Sequence, residues 1–188
     1  MPKRVLIIDD RPKRPFLHLP ETTVRTIQQL QNVDLKASAK GVDFGAYDII
    51  AIHKSYATSN NFGNMLDNLI LDNAKYIVYF SGGISQQVIN QNGHQAILGS
   101  EVFYSKNLLP FCEQLLSSED IQLFKLIYGV DHWKLPILMR LRQIYWMDPK
   151  GEDFRLDDER QDIIDALGLD NVQITMIEKI INKQACLL

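Results

Sequence analysis

Residues 4–10 read Arg-Val-Leu-Ile-Ile-Asp-Asp, a β-branched apolar run that stops at two carboxylates. The run lacks the alternation of a half-exposed strand, so it suits a strand buried on both faces. Two further stretches repeat the pattern. Residues 48–53 read Asp-Ile-Ile-Ala-Ile-His and residues 76–81 read Tyr-Ile-Val-Tyr-Phe-Ser, each ending in a polar side chain. Val33–Ala37 and Glu101–Ser105 read as two shorter strands, which makes five. Apolar residues recur at helical spacing at positions 24, 27 and 30, then at Phe62, Met65, Leu66, Leu69 and Ile70, and again at Leu108, Phe111, Cys112 and Leu115. Val88–Ile89 reads as part of a short helix. Strands alternating with helices over residues 1–116 predict a parallel sheet with helices on both faces. Only about ten residues separate the second strand from the third, fewer than a helical crossover needs, so the helix there is a single turn or missing.

From Ser117 onward the period is helical throughout. Ser118-Glu119-Asp120 looks like a helix start, and Ile121, Phe124 and Ile127 form a stripe. Pro136 falls where a first turn tolerates it, ahead of Leu138, Leu141, Ile144 and Tyr145. After the break at Pro149-Lys150-Gly151, two more helices are expected at about 158–167 and 171–183. The chain thus divides into an α/β domain, 1–116, and an all-helical extension, 117–188.

With 188 residues, 46% apolar and 23% charged, the composition is that of a globular protein. The net charge of −3 gives no global basic excess of the kind that marks nucleic-acid binding. Residues 1–116 carry 11 Lys and Arg against 10 Asp and Glu, and residues 117–188 carry 9 against 13, so the extension is the acidic part. Cys112 and Cys186 supply neither a disulfide framework nor a metal spacing. No apolar run approaches a membrane span, and neither a signal peptide nor a prenylation box is read, so a soluble, cytoplasmic protein is expected.

Ligands of a doubly wound sheet sit at the carboxyl ends of its strands. Those ends are expected to present Asp9 and Asp10, then His53, Ser81 and Lys106. Carboxylates there suit a hard divalent cation such as Mg²⁺. A serine and a lysine suit phosphate oxygens, one as a hydrogen-bond donor and one as a point charge. Plainer readings stand beside these: Asp9-Asp10 as a strand-to-turn ending, His53 as a hydrogen-bonded structural imidazole, Lys106 as a solvated loop residue.

In these residues the first 116 positions resemble a response-regulator receiver domain. Asp9 and Asp10 match that family's acidic pair after strand one, Ser81 its Ser/Thr after strand four, and Lys106 its lysine after strand five. His53 falls where the family carries its phosphoacceptor Asp. The resemblance implies a flavodoxin-like five-stranded parallel sheet. With imidazole in place of the carboxylate it implies a pseudo-receiver, a protein-interaction module that does not depend on phosphorylation. No cofactor is expected beyond weak Mg²⁺ at Asp9 and Asp10.

A rival lies in Ser81-Gly82-Gly83-Ile84-Ser85, which resembles the phosphate-cradling Ser-Gly-Gly-x-Asp-Ser loop of ATP pyrophosphatases, with Ser85 in place of the Asp. The alternative is therefore a metal-dependent phosphate- or nucleotide-handling enzyme built on Asp9, Asp10, His53 and Lys106. A third reading is a regulator that contacts nucleic acid through its C-terminal helices at Trp133, Lys134, Arg140, Arg142, Tyr145 and Trp146, although this basic-aromatic stretch fits a protein interface better. The preferred expectation is a non-catalytic signalling protein acting through protein contacts, as a homodimer.

Overall fold

The computed structural model describes residues 1–11, 15–59, 75–90, 93–117 and 120–185. The helix expected around Phe62–Ile70 and the helix start at Ser118-Glu119 lie outside the described residues. Six strands form one sheet: β1 (Val5–Ile8), β2 (Val33–Lys36), β3 (Ile49–His53), β4 (Tyr76–Ser81), β5 (Val88–Asn90) and β6 (Gln95–Gly99). Their spatial order is β2-β1-β3-β4-β6-β5, parallel except for the edge strand β5, which runs antiparallel to β6.

The apolar runs form central strands because both of their faces find cover. In β1, Val5 and Ile7 point into one cluster with Ile49, Ala51, Val78 and Phe80, while Leu6 and Ile8 point into the other with Ile50, Ile52 and Ile77. Each aliphatic side chain so buried contributes roughly 1.5–3 kcal/mol. The first face is covered by α2 (Glu21–Gln29), through Val24 and Ile27, and by α5 (Leu108–Gln114), through Leu108, Phe111 and Cys112. A short helix, α1 (Pro15–His18), precedes α2. The second face is covered by Ala39, Phe44 and Tyr47 and by Tyr56 of α3 (Lys54–Ser59). In the short crossover only a 3₁₀ turn, Phe44–Ala46, is present.

Two expectations are corrected. Val88–Ile89 belongs to a strand, and the last parallel strand is Gln95–Gly99, so the sheet has six strands rather than five. Residues 101–105 instead enter α4 (Ser100–Phe103) and the turn after it. Their aromatic rings serve the core from there: Phe103 stacks on Phe80 at 4.3 Å between centroids, and Tyr104 meets both rings edge-on.

The helical part comprises α6 (Leu123–Tyr128), α7 (Lys134–Met147), α8 (Phe154–Leu167) and α9 (Asn171–Ala185). Leu123, Phe124, Leu126, Ile137, Leu141, Ile144, Tyr145, Ile163 and Ile164 join the same apolar cluster as the first sheet face, and α8 lies against β5. Residues on either side of position 117 therefore share one core. Asp153 caps α8 by accepting from the Arg155 N–H at 3.0 Å, and Gly168 at φ +64° ends it.

Candidate functional site

Parallel pairing carries the strand ends to one edge in register. Ile8 pairs with Ile52, so Asp9 and His53 follow side by side; His53 pairs with Phe80, and Ser81 with Gly99. Beyond Gly99 comes Ser100, the first residue of α4. Side chains alternate between faces with period two, so Asp9, His53, Phe80 and Ser100 share one face.

Asp9 is buried at 6% exposure, and each of its carboxylate oxygens accepts a hydrogen bond. The Tyr104 hydroxyl donates to Oδ2 at 2.8 Å, and the Arg11 backbone N–H donates to Oδ1 at 3.0 Å. Asp10, next in sequence, is exposed. His53 is also buried, with Nδ1 at 2.7 Å from the Ser55 hydroxyl and its ring edge-on to Phe80 at 5.6 Å. An imidazole tied at Nδ1 to a side chain two residues on has its ring orientation set by that contact.

In front of these residues lies a cleft of about 310 Å³, lined by Arg11, Leu17, His18, His53, Ser81, Gly82 and Ser100. A second cavity of about 260 Å³ is lined by Asp9 and Tyr104 together with Val24, Gln28, Leu35, Lys36 and Ala37. The edge thus brings Asp9, His53 and Ser81 close together but parts the carboxylate from the cleft. Lys106 does not share the cleft: it stands exposed in the turn between α4 and α5, seven residues beyond the end of β6. The residue that does follow the last parallel strand is Ser100, buried at 3% exposure, whose Oγ meets no hydrogen-bond partner among the described residues.

Sequence reasoning missed Ser100, Arg11, His18 and Tyr104. Arg11 adjoins the acidic pair, and the strand-end rule leads to Ser100 once β6 is placed at Gln95–Gly99. Gly82 and Gly83 keep ordinary φ values, and a Cβ on either would meet open space, so neither glycine is required by the turn. The steric need falls on Gly99 instead, where a Cβ would stand 2.7 Å from the Ile84 carbonyl oxygen.

Elsewhere, the Cys112 thiol is pushed up to about 12 by burial, which removes it as a nucleophile. Arg140 donates through Nε and Nη2 to both oxygens of Glu159 at 2.7 Å, and its Nη1 donates to Gln143. A guanidinium so engaged has little left to offer a phosphate backbone. Among the described residues no group of three or more His, Cys, Asp or Glu side chains could hold a metal ion. Nor is any helix among them long and apolar enough to cross a membrane.

No protein-family model matches the chain, and no curated protein or solved structure matches it. The molecule is an α/β protein with a mostly parallel six-stranded sheet.

Proposed function

We propose that the chain is a non-catalytic regulatory module of the cytoplasm, resembling a receiver domain, that acts through protein contacts and independently of phosphoryl transfer. The observation that supports this most is the state of the two groups phosphoryl chemistry would need. The position between Asp9 and Ser81 carries the imidazole of His53, and both oxygens of Asp9 already accept hydrogen bonds from Tyr104 and Arg11. A carboxylate so held, with exposed Asp10 beside it, makes a poor start for an ion that prefers six oxygens, so Mg²⁺ binding on the order of millimolar or weaker is expected. The acidic pair with His53 and a distant Lys106 gives the metal-dependent enzyme little support.

The test is incubation with acetyl phosphate and Mg²⁺ followed by intact-mass measurement. No adduct is expected. An acid-stable, base-labile gain of about 80 Da, one phosphoryl group, overturns the proposal. The variant His53→Asp restores a third carboxylate and is expected to tighten Mg²⁺ several-fold; no gain would mean the three positions do not act together.

The contact surface is assigned to α7 and α9, which pack on each other. Leu135, Met139, Trp146 and Met147 on α7 and Val172, Met176 and Ile180 on α9 are each more than half exposed. A standard interface takes on the order of 800 Å² from each partner, and these seven apolar side chains would form its core. A second copy of the chain is the proposed occupant, since two-fold dimers are the commonest assembly. Light scattering should report twice the chain mass at micromolar concentration, and Trp146→Glu should return the monomer.

A further inference from the structure

We propose that the cleft at the ends of β1, β3, β4 and β6 binds a small free oxyanion, and that this non-covalent ligand is the input of the module. The inference rests on the reading of that edge as one that does not accept a phosphoryl group. Three observations carry it. Residues that carry donor groups line the cleft: Arg11, His18, His53, Ser81 and Ser100. No Asp or Glu is among the described residues lining it; Asp9 lines the second cavity, where the Tyr104 hydroxyl donates to its carboxylate. Ser100 Oγ lies buried with no partner among the described residues, and a buried hydroxyl left unmet costs roughly 1–3 kcal/mol.

A fold retains such a cost where a bound group repays it. An arginine fork matches an oxyanion in its plane, and the Ser100 hydroxyl offers one further donor. About 310 Å³ is at the small end of ligand cavities, which favours a phosphate or carboxylate group on a small body. Gly99 fits the same picture, since its missing Cβ lets the loop at Ile84 close against the strand end from which Ser100 projects.

The experiment is a nuclear magnetic resonance titration of the full chain, following the backbone amides of Gly82 and Ser100. Inorganic phosphate and acetate are separate arms, and chloride at matched ionic strength is the control. A saturable shift with phosphate or acetate, absent with chloride, is expected; the stronger arm tells a phosphoryl from a carboxylate ligand. Arg11→Ala should weaken binding at least tenfold. Ser100→Ala should weaken it at least tenfold while leaving the ligand-free protein as resistant to urea as the parent, or more so. A purely structural hydroxyl would give the opposite pair, lower stability with unchanged affinity, and that result overturns the proposal. So does a titration in which neither anion saturates, or in which both variants bind like the parent. These failures leave the phosphorylation-independent reading intact, because that reading falls only on the mass adduct.

Discussion

Tyr104→Phe is the sharpest single perturbation of the edge, because it deletes one oxygen and keeps the ring. The ring is buried at 1% exposure against Phe80 and Phe103, contacts that phenylalanine retains. What is lost is the 2.8 Å bond to Asp9 Oδ2, made to a charged acceptor buried at 6% exposure. Bonds to charged groups are worth about 1.5–3 kcal/mol, and burial of both partners places this one near 2 kcal/mol. For a chain of this size that lowers the thermal midpoint by roughly 4–8 °C. Urea unfolding followed by circular dichroism measures the free energy, and the cycle with Asp9→Ala isolates the pair. On top of Asp9→Ala, the Tyr104→Phe change should cost much less, since the acceptor is already gone. Tyr47→Phe serves as the contrast. Its hydroxyl donates to Asp34 at 2.7 Å, but that carboxylate is 40% exposed, so a loss below about 1 kcal/mol is expected. The reasoning fails if Tyr104→Phe costs under about 0.5 kcal/mol, or costs the same with and without Asp9.

Three further outcomes follow from the packing and the charges. Gly99→Ala should destabilise by about 1–3 kcal/mol, because its Cβ meets the Ile84 carbonyl at 2.7 Å and backbone must move, while Gly82→Ala stays within about 0.5 kcal/mol; urea midpoints separate the two. The Asp148 carboxyl is held below the usual carboxylate value by the N–H groups of Glu152 and Asp153 and by Arg160. The folded protein therefore keeps it charged to lower pH than the unfolded chain does, so its stabilisation is full above the ordinary carboxylate value and fades as pH falls through the lowered one. Asp148→Asn should flatten the acid limb of a stability–pH profile, and an unchanged limb would count against that carboxylate. Truncation after Ser117 uncovers the sheet face that Phe124, Leu141, Ile144 and Ile163 protect, so the 1–117 fragment should scatter light and bind a hydrophobic dye; a monomeric, cooperatively unfolding fragment would show the helices to be an appendage.

The fold was legible where one physical signal sufficed. β1, β3 and β4 are central strands buried on two faces, and only such strands carry apolar runs without alternation, as residues 5–8 and 49–52 do. The stripe at Leu108, Phe111, Cys112 and Leu115 is fully buried, and the single turn at Phe44–Ala46 follows from the shortness of the chain there. The β5–β6 pair was hidden for the opposite reason. Three residues of an antiparallel edge strand have too few positions to show a period, and β6 is built from Gln95, Ala96 and Gly99 as much as from Ile97 and Leu98. The turn between them passes through Gly93 at φ +77°, a hairpin cue that carries little weight without two visible strands around it. Meanwhile Val102, Phe103 and Tyr104 have strong strand propensity, yet Phe103 and Tyr104 both bury against Phe80 from a helical turn. Propensity there reported burial, and burial does not choose the element.

That misplacement decided which chemistry the edge was expected to carry. Ending the last parallel strand at residue 105 puts Lys106 at the sheet edge, and an ammonium beside two carboxylates and a hydroxyl suggests a metal-assisted phosphoryl pocket. Ending it at Gly99 puts a neutral, buried hydroxyl there and leaves Lys106 exposed in the following turn. The positive charge of the cleft then comes from Arg11, on the segment after β1 that also supplies Asp9, so cation and carboxylate lie two residues apart. The Arg11 N–H and the Tyr104 hydroxyl hold the carboxylate, and Arg11 lines the cleft whereas Asp9 does not. Tyr104→Phe thus tests more than stability. Freed of its hydroxyl partner, Asp9 has less to hold it away from the cleft, so the variant should bind the anion more weakly even though Tyr104 does not line that cavity. Unchanged affinity in a destabilised Tyr104→Phe protein would show that the parting of the charges is owed to the fold around Asp9 and not to that single bond.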